Sequence, residues 1–256
     1  MTGHGAILGS LEARAWWMPP NAAAHGFTVD RLMRWDLGAM AGCFLLANLL
    51  LAWMVLRRRR IGAAPSAWKI ELVPLILLIA LYVTMAVTGE HLWATERFEG
   101  PAPDAMQVEV VGQQFVWDFH YPGADATYGR SRPELINAAL GNPIGLDPQD
   151  PHGHDDIVTG ELVLPVNREV DLRIRSLDVI HGFFVPAMRL KQNAVPGSIL
   201  HVHFTPVREG VFPILCTQVC GLGHARMQAR MRVVSAAEYA AWLALHAPRQ
   251  PAEEVR

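Results

Sequence analysis

The sequence predicts an N-terminal two-helix transmembrane hairpin followed by an all-β, Greek-key domain. Three observations carry this. Leu37 to Leu56 runs twenty positions without a charged side chain, and Leu72 to Gly89 is a second uncharged stretch. Arg57-Arg58-Arg59-Arg60 stands between them. Beyond Glu90, short segments alternate apolar and polar residues between clusters of Gly, Pro, Asn and Asp, as strands and turns do.

Residues 1–36 are mixed. Trp16-Trp17-Met18-Pro19-Pro20 is an apolar patch suited to a membrane interface, although Pro19-Pro20 prevents a continuous helix there. No charged start leads straight into an early apolar core, so the segment does not read as a cleavable signal. Twenty helical residues span about 30 Å, the hydrocarbon thickness of a bilayer. The expected helices are about 37–56 and 70–89, with Pro74 in the first turn of the second, where proline is tolerated. The linker from Arg57 to Lys69 holds five positive and no negative charges. The positive-inside rule therefore places it in the cytoplasm and both termini outside. A helical pair buried in a soluble core is the alternative, which four consecutive arginines disfavour.

Composition agrees with a membrane anchor. Hydrophobic residues make up 51% of the 256. From Glu90 onward there are 20 acidic against 14 basic residues, and before it 4 against 8. A mildly acidic exposed domain without a basic stripe excludes nucleic acid as a partner.

In the exposed half, Gln107 to Phe119 alternates as strands do. Further strands are expected at Glu161–Pro165, Glu169–Arg175, Ile199–Thr205, Val211–Leu215 and Arg226–Val234, rich in Val, Ile and Leu. Residues 122–157 read as long irregular connections. Their Asp147, Asp150, Asp155, Asp156, His152 and His154 suit either a hard cation or a solvated acidic loop, and the loop is favoured. His201 and His203 share a strand face and read as structural. Ala236 to His246 reads as a terminal helix.

One stretch carries chemistry: Cys216-Thr217-Gln218-Val219-Cys220-Gly221-Leu222-Gly223-His224-Ala225-Arg226-Met227. Thiolate, imidazole and thioether are the soft ligand set of copper electron-transfer sites. His181 upstream supplies a second imidazole. A single-copper site needs one thiolate, so the additional cysteine suggests two coppers. A Cys216–Cys220 disulfide, a partly buried His224 and a core-filling Met227 are the alternatives. The spacing does not resemble paired zinc knuckles. Cys43 lies within an apolar run and behaves as a small hydrophobe.

This run resembles the binuclear copper (CuA) motif of subunit II of the haem-copper cytochrome c oxidases. Ser176-Leu177-Asp178-Val179-Ile180-His181, Val185-Pro186 and Lys191-Gln192-Asn193-Ala194-Val195-Pro196-Gly197 are similar to the family's first ligand block. The resemblance implies a cupredoxin-like fold over residues 90–235, after an extracytoplasmic segment 1–36 and a hairpin 37–89, with a helix and tail at 236–256. It implies two copper ions bridged by Cys216 and Cys220, with His181 and His224 each on one copper. Met227 and the main-chain carbonyl of Gln218 would be the weak ligands. It further implies subunit I and subunit III as partners, cytochrome c as donor, and oxygen reduction with proton translocation in the complex. The place would be the cell inner membrane, with the copper domain on the periplasmic side.

Several positions depart from the family. Gly112-Gln113-Gln114-Phe115-Val116-Trp117 resembles its aromatic box, but Phe115 stands where a tryptophan normally receives the electron; Trp117 is the alternative contact. Gln218 replaces a glutamate that helps hold magnesium at the subunit I boundary, and a neutral amide is a poorer ligand for a hard dication. Asn193 stands where aspartate is frequent. Ala67 takes the place of a proton-path glutamate, for which Glu71, one turn later, could substitute. The competing functions are a copper subunit feeding nitric oxide reduction and a membrane-tethered copper delivery protein. Quinol oxidase relatives lack the copper ligands.

Overall fold

The computed structural model describes residues 18–57 and 67–247. Trp16, Trp17, Arg58 to Arg60 and the tail after residue 247 lie outside the described residues. The chain divides into two compact units, Phe27–Glu99 and the remainder.

The first unit is helical. Helix α1 spans Gly26–Arg57 and α2 spans Ala67–Arg97. Both are long and apolar enough to cross a membrane, and their apolar windows have no residue buried within the protein. Leu, Val, Ile and Phe side chains are exposed all round, as a lipid solvent demands. Both helices outrun the expected 37–56 and 70–89. The uncharged run measures the apolar thickness, whereas backbone hydrogen bonding continues through polar turns. Asp30, Arg31, Arg34 and Asp36 prolong α1, and Glu90, His91 and Trp93 prolong α2.

The second unit is a sandwich of two five-stranded sheets. One has the order β3-β2-β1-β5-β8, from β1 (Met106–Gln113), β2 (Val116–Tyr121), β3 (Ile157–Thr159), β5 (Val170–Ser176) and β8 (Leu200–Phe204). The other has the order β4-β10-β9-β6-β7, from β4 (Glu161–Pro165), β6 (His181–Val185), β7 (Leu190–Ala194), β9 (Gly210–Cys216) and β10 (Gln228–Val234). Each sheet contains one parallel pair, β1–β5 and β4–β10, among antiparallel ones. Strands β3, β6 and β7 were not expected from the sequence. They are short, and β7 alternates weakly because Lys191, Gln192 and Asn193 occupy its middle.

Val108, Val110, Trp117, Phe119, Leu172 and Ile174 of the first sheet face Leu162, Leu164, Phe183, Ile214 and Met231 of the second, all buried. Tyr121 ties the layers. Its hydroxyl donates to the Val163 carbonyl at 3.1 Å and accepts from the Val163 N–H at 2.7 Å. Helix α3 (Ala236–His246) starts at a reciprocal Ser235–Glu238 capping box and brings Trp242 to 5.0 Å from the Tyr121 ring.

In the segment 122–157 two of the acidic residues depart from the expected solvated loop. Asp156 and Asp147 are buried. The Asp156 carboxylate accepts from the Gly123 and Gly129 N–H groups and lies 2.6 Å from His120 Nε2. Asp147 pairs with Arg132 at 3.0 Å, and Asp155 accepts from the Ala124 and Asp125 amides. These carboxylates already have donors, which a hard cation would have to displace. The sequence shows their charge but not the backbone amides that consume it.

His120, fully buried, has Asp156 on Nε2 and Glu109 on Nδ1 at 3.1 Å. A carboxylate only accepts, so both ring nitrogens must donate and the ring is an imidazolium. Burial opposes that charge, but Asp156 and Glu109 outweigh it and raise the His120 pKa above its ordinary value. Burial likewise opposes the Glu109 carboxylate, which His120 and Arg175 nevertheless hold down at about 2.

Two outcomes are expected. Tyr121→Phe leaves the buried Val163 N–H without its partner and should cost about 1–3 kcal/mol, measured by thermal unfolding of the full chain in detergent. The His120 contribution is complete below the ordinary imidazole pKa and is lost as pH rises through the raised folded value. The Glu109 contribution is complete above the ordinary carboxylate pKa and is lost as pH falls toward 2. Melting temperature against pH should therefore decline at both ends, and His120→Gln should flatten the alkaline limb.

Candidate metal centre

The antiparallel pair β9–β10 carries the cysteine stretch as the loop that joins its strands. Cys216 ends β9 and donates its amide to the Met227 carbonyl at 3.2 Å, while Leu215 is in register with Gln228. Both ends of the loop are thus pinned by ladder hydrogen bonds. Strand β6 runs beside β9, with Phe183 opposite Cys216. His181, two residues earlier, is thereby brought to the same end of the sheet. Gly182 permits the close approach, because a Cβ there would strike the Thr217 hydroxyl and the Gln218 amide.

The sulfurs of Cys216 and Cys220 stand 3.9 Å apart and are unbonded, so the disulfide alternative is not what the loop adopts. With a ring nitrogen of His181 they form a group whose ligand atoms all lie within 4.8 Å of one another. His224 Nδ1 is 3.7 Å from the Cys220 sulfur, and the Met227 sulfur is 3.8 Å from it. The Gln218 carbonyl accepts from the Cys216 thiol at 3.2 Å. The loop therefore turns that main-chain oxygen, and not the exposed Gln218 side chain, toward the sulfurs.

His181 is fully buried. Its Nε2 donates to Asp178 Oδ1 at 2.8 Å, leaving Nδ1 as the acceptor nitrogen in the neutral ring. That Nδ1 is buried without a hydrogen-bond partner. An orphaned imidazole lone pair on a ring gathered with two sulfurs fits a soft or borderline cation, which it would ligate with a carboxylate orienting the ring. Burial and the neighbouring Cys216 sulfur push the Cys220 thiol up to about 11. Two thiolates this close repel, so a bound cation must replace the proton.

Asp178 and Gln114, which the sequence did not mark as site residues, hold the loops together. Asp178 Oδ2 accepts from the Gln114 backbone N–H at 2.6 Å, and its Oδ1 also accepts from Val179. The Gln114 side chain donates to the Cys220 carbonyl. Hydrogen bonds at His181 and Cys216 already hold Asp178 below the ordinary carboxylate range in one case and the loop carbonyl of Gln218 in place in the other; for Asp178 burial works in the opposite direction and is outweighed by His181, Gln114 and Val179. An Asp three positions before a ligand-type His is a signal readable from sequence, whereas a contact between residues 64 apart is not.

The half-buried Phe115 ring rests on the same loop, in space available only because Gly223 has no Cβ. Trp117 does not share that exposure. It is buried, its ring edge-on to His181 at 5.8 Å and to Phe183 at 5.3 Å, so it presents no surface to a donor. Trp117 does not lie on one strand face with Phe115, because β2 begins at Val116 and Phe115 lies in the preceding turn. Glu71 is exposed in the first turns of α2, in the helical unit.

Comparisons with known proteins bear on the family. Residues 106–234 match the family described as cytochrome c oxidase subunit II, periplasmic domain. The alternative cytochrome c oxidase subunit 2 of Bradyrhizobium diazoefficiens is 34% identical over 237 residues, covering 89% of this chain and 83% of that one. Cytochrome c oxidase subunit 2 of Cereibacter sphaeroides is 32% identical over 194 residues, 69% of this chain and 58% of that one. A solved periplasmic domain of subunit II from Bradyrhizobium japonicum is 27% identical, with TM-score 0.40, over 56% of this chain and 95% of that one. With the family match over residues 106–234 and a 34% identical relative covered over most of its length, the chain belongs to the cytochrome c oxidase subunit II family.

Proposed function

We propose that this chain, as subunit II of a haem-copper oxidase, accepts electrons from cytochrome c at a binuclear copper centre and delivers them to the haem groups of subunit I. The ligands are Cys216, Cys220, His181, His224, Met227 and the Gln218 carbonyl. The observation that carries the proposal is buried His181, which has a ring nitrogen within 4.8 Å of two unbonded sulfurs and an Nδ1 without a hydrogen-bond partner. When bound, the copper pair supplies a one-electron carrier whose charge is shared over two metals and two sulfurs.

The protein's part is to hold the donors still. Asp178 fixes the His181 tautomer, and the β9–β10 ladder fixes the loop ends. Buried Met227 and Cys220 keep water from that side of the site. Donors that do not move between oxidation states lower the cost of electron transfer. Phe115, half-buried on the cysteine loop, takes the place of the surface aromatic at which electrons arrive. Trp117 stiffens the His181 ring from within. The helical hairpin anchors the chain in the cell inner membrane, with the β domain on the periplasmic side. Oxygen chemistry and proton translocation belong to the complex with subunit I. Glu71 is proposed for its proton path on position in α2 alone. No magnesium ligand is proposed at Gln218, whose side chain is a neutral amide.

Absorption and paramagnetic-resonance spectra of the copper-loaded chain test this. Wild type should show a mixed-valence purple signal, Cys216→Ser and Cys220→Ser should abolish it, and Met227→Leu should keep it with a shifted potential. A double cysteine variant that retained the signal would overturn the assignment. Asp178→Asn should lower copper affinity about 10–100-fold in chelator competition, with the fold intact by circular dichroism.

A further inference from the structure

Away from the cysteine loop, a second set of metal-type donors stands on β8, the edge strand of its sheet. His201 and His203 alternate with the buried Val202 and Phe204, so both imidazoles project from the outer face. Across from them on β5 is Asp171, the register partner of His203. Directly opposed residues of an antiparallel pair hold their Cβ atoms about 4.5–5.5 Å apart, which puts Asp171 within reach of the His203 ring. Asp171 Oδ2 accepts from His201 Nδ1 at 2.9 Å.

An ion pair with a buried carboxylate accounts for His201 but leaves two facts over. Asp171 is 3% exposed, and its second oxygen is buried with no hydrogen-bond partner. His203, half-buried, has no hydrogen-bond or ion-pair partner among the described residues. A buried carboxylate oxygen without a donor thus stands opposite a strand edge with one bonded and one unbonded imidazole.

We propose that His201 and His203, oriented by Asp171, form a second metal site that takes a divalent ion of borderline softness, such as Zn²⁺. Imidazole suits such ions. The dyad of His201 and Asp171 is the arrangement in which a ligating ring gives its other N–H to a carboxylate. Asp171 also offsets the charge of the ion. The opposing charge is Arg173, across from His201, whose guanidinium lies over the Tyr128 ring at 4.6 Å. The donors are not yet gathered, because among the described residues only His181, Cys216 and Cys220 converge within 4.8 Å. The His201 side chain is 52% exposed, so its ring can turn to an ion without unpacking the core. Water completes the coordination, which makes the site open and exchangeable.

The test is a Zn²⁺ titration of the copper-loaded full chain in detergent against a chromogenic chelator. Wild type should hold one more equivalent than His201→Ala/His203→Ala, and Asp171→Asn should bind that equivalent about 10–100-fold more weakly. The milder His203→Gln should also lose it, which guards against misfolding of the double variant. Unchanged Zn²⁺ binding in the double variant would overturn the proposal. So would loss of the equivalent in His152→Ala instead, or displacement of copper by zinc. The same titration on copper-free chain carrying Cys216→Ser and Cys220→Ser should still show the extra equivalent, so the outcome does not depend on the copper assignment.

Discussion

Two sulfur ligands less than 4 Å apart cannot both carry a negative charge in a partly buried loop unless a cation lies with them. Much of the β domain serves that constraint. The β9–β10 ladder closes the loop at both ends, β6 carries His181 to its side, and Asp178 holds one ring nitrogen so that the other keeps a free lone pair. Without a cation, the burial that protects the site keeps the Cys220 thiol protonated. The same burial lets a bound cation interact strongly with its ligands, because little water screens them.

The site is stiff because its donors come from different strands joined by few, short connections. Gln114 links the turn before β2 to the cysteine loop, while Asp178 links that turn to the strand of His181. Three segments distant in sequence are thus cross-tied by one amide and one carboxylate. Phe115 and Trp117 occupy opposite sides of this arrangement, one half-exposed on the loop and one in the core behind His181. Phe115 keeps an aromatic ring in contact with the loop.

A second electrostatic centre holds the long 122–157 connection. Asp156, His120, Glu109 and Arg175 alternate in charge across the outer face of the first sheet. Removing any one partner strands the others in a buried setting, where an uncompensated charge is far more costly than the pair is favourable. That cluster fixes the loop without adding apolar surface. It also explains why so many acidic residues can sit in a connection that is not simply solvated.

Much was legible in the sequence by itself. Two uncharged, mostly apolar runs and an arginine block specified the hairpin, since lipid is the setting in which runs of that length without a charge are held most cheaply. Spacings of four, four and three in the cysteine stretch specified the donor types, because soft ligands so close in the chain must meet in space. Only the tertiary structure decided how those donors are oriented. The free nitrogen of His181, the turning of the Gln218 carbonyl toward sulfur and the burial of Trp117 depend on strand register between residues far apart in the chain, and side-chain periodicity carries no information about register between strands. The role of Asp147 and Asp156 was hidden for the same reason: their partners are backbone amides and a histidine whose positions exist only once the sheet has formed.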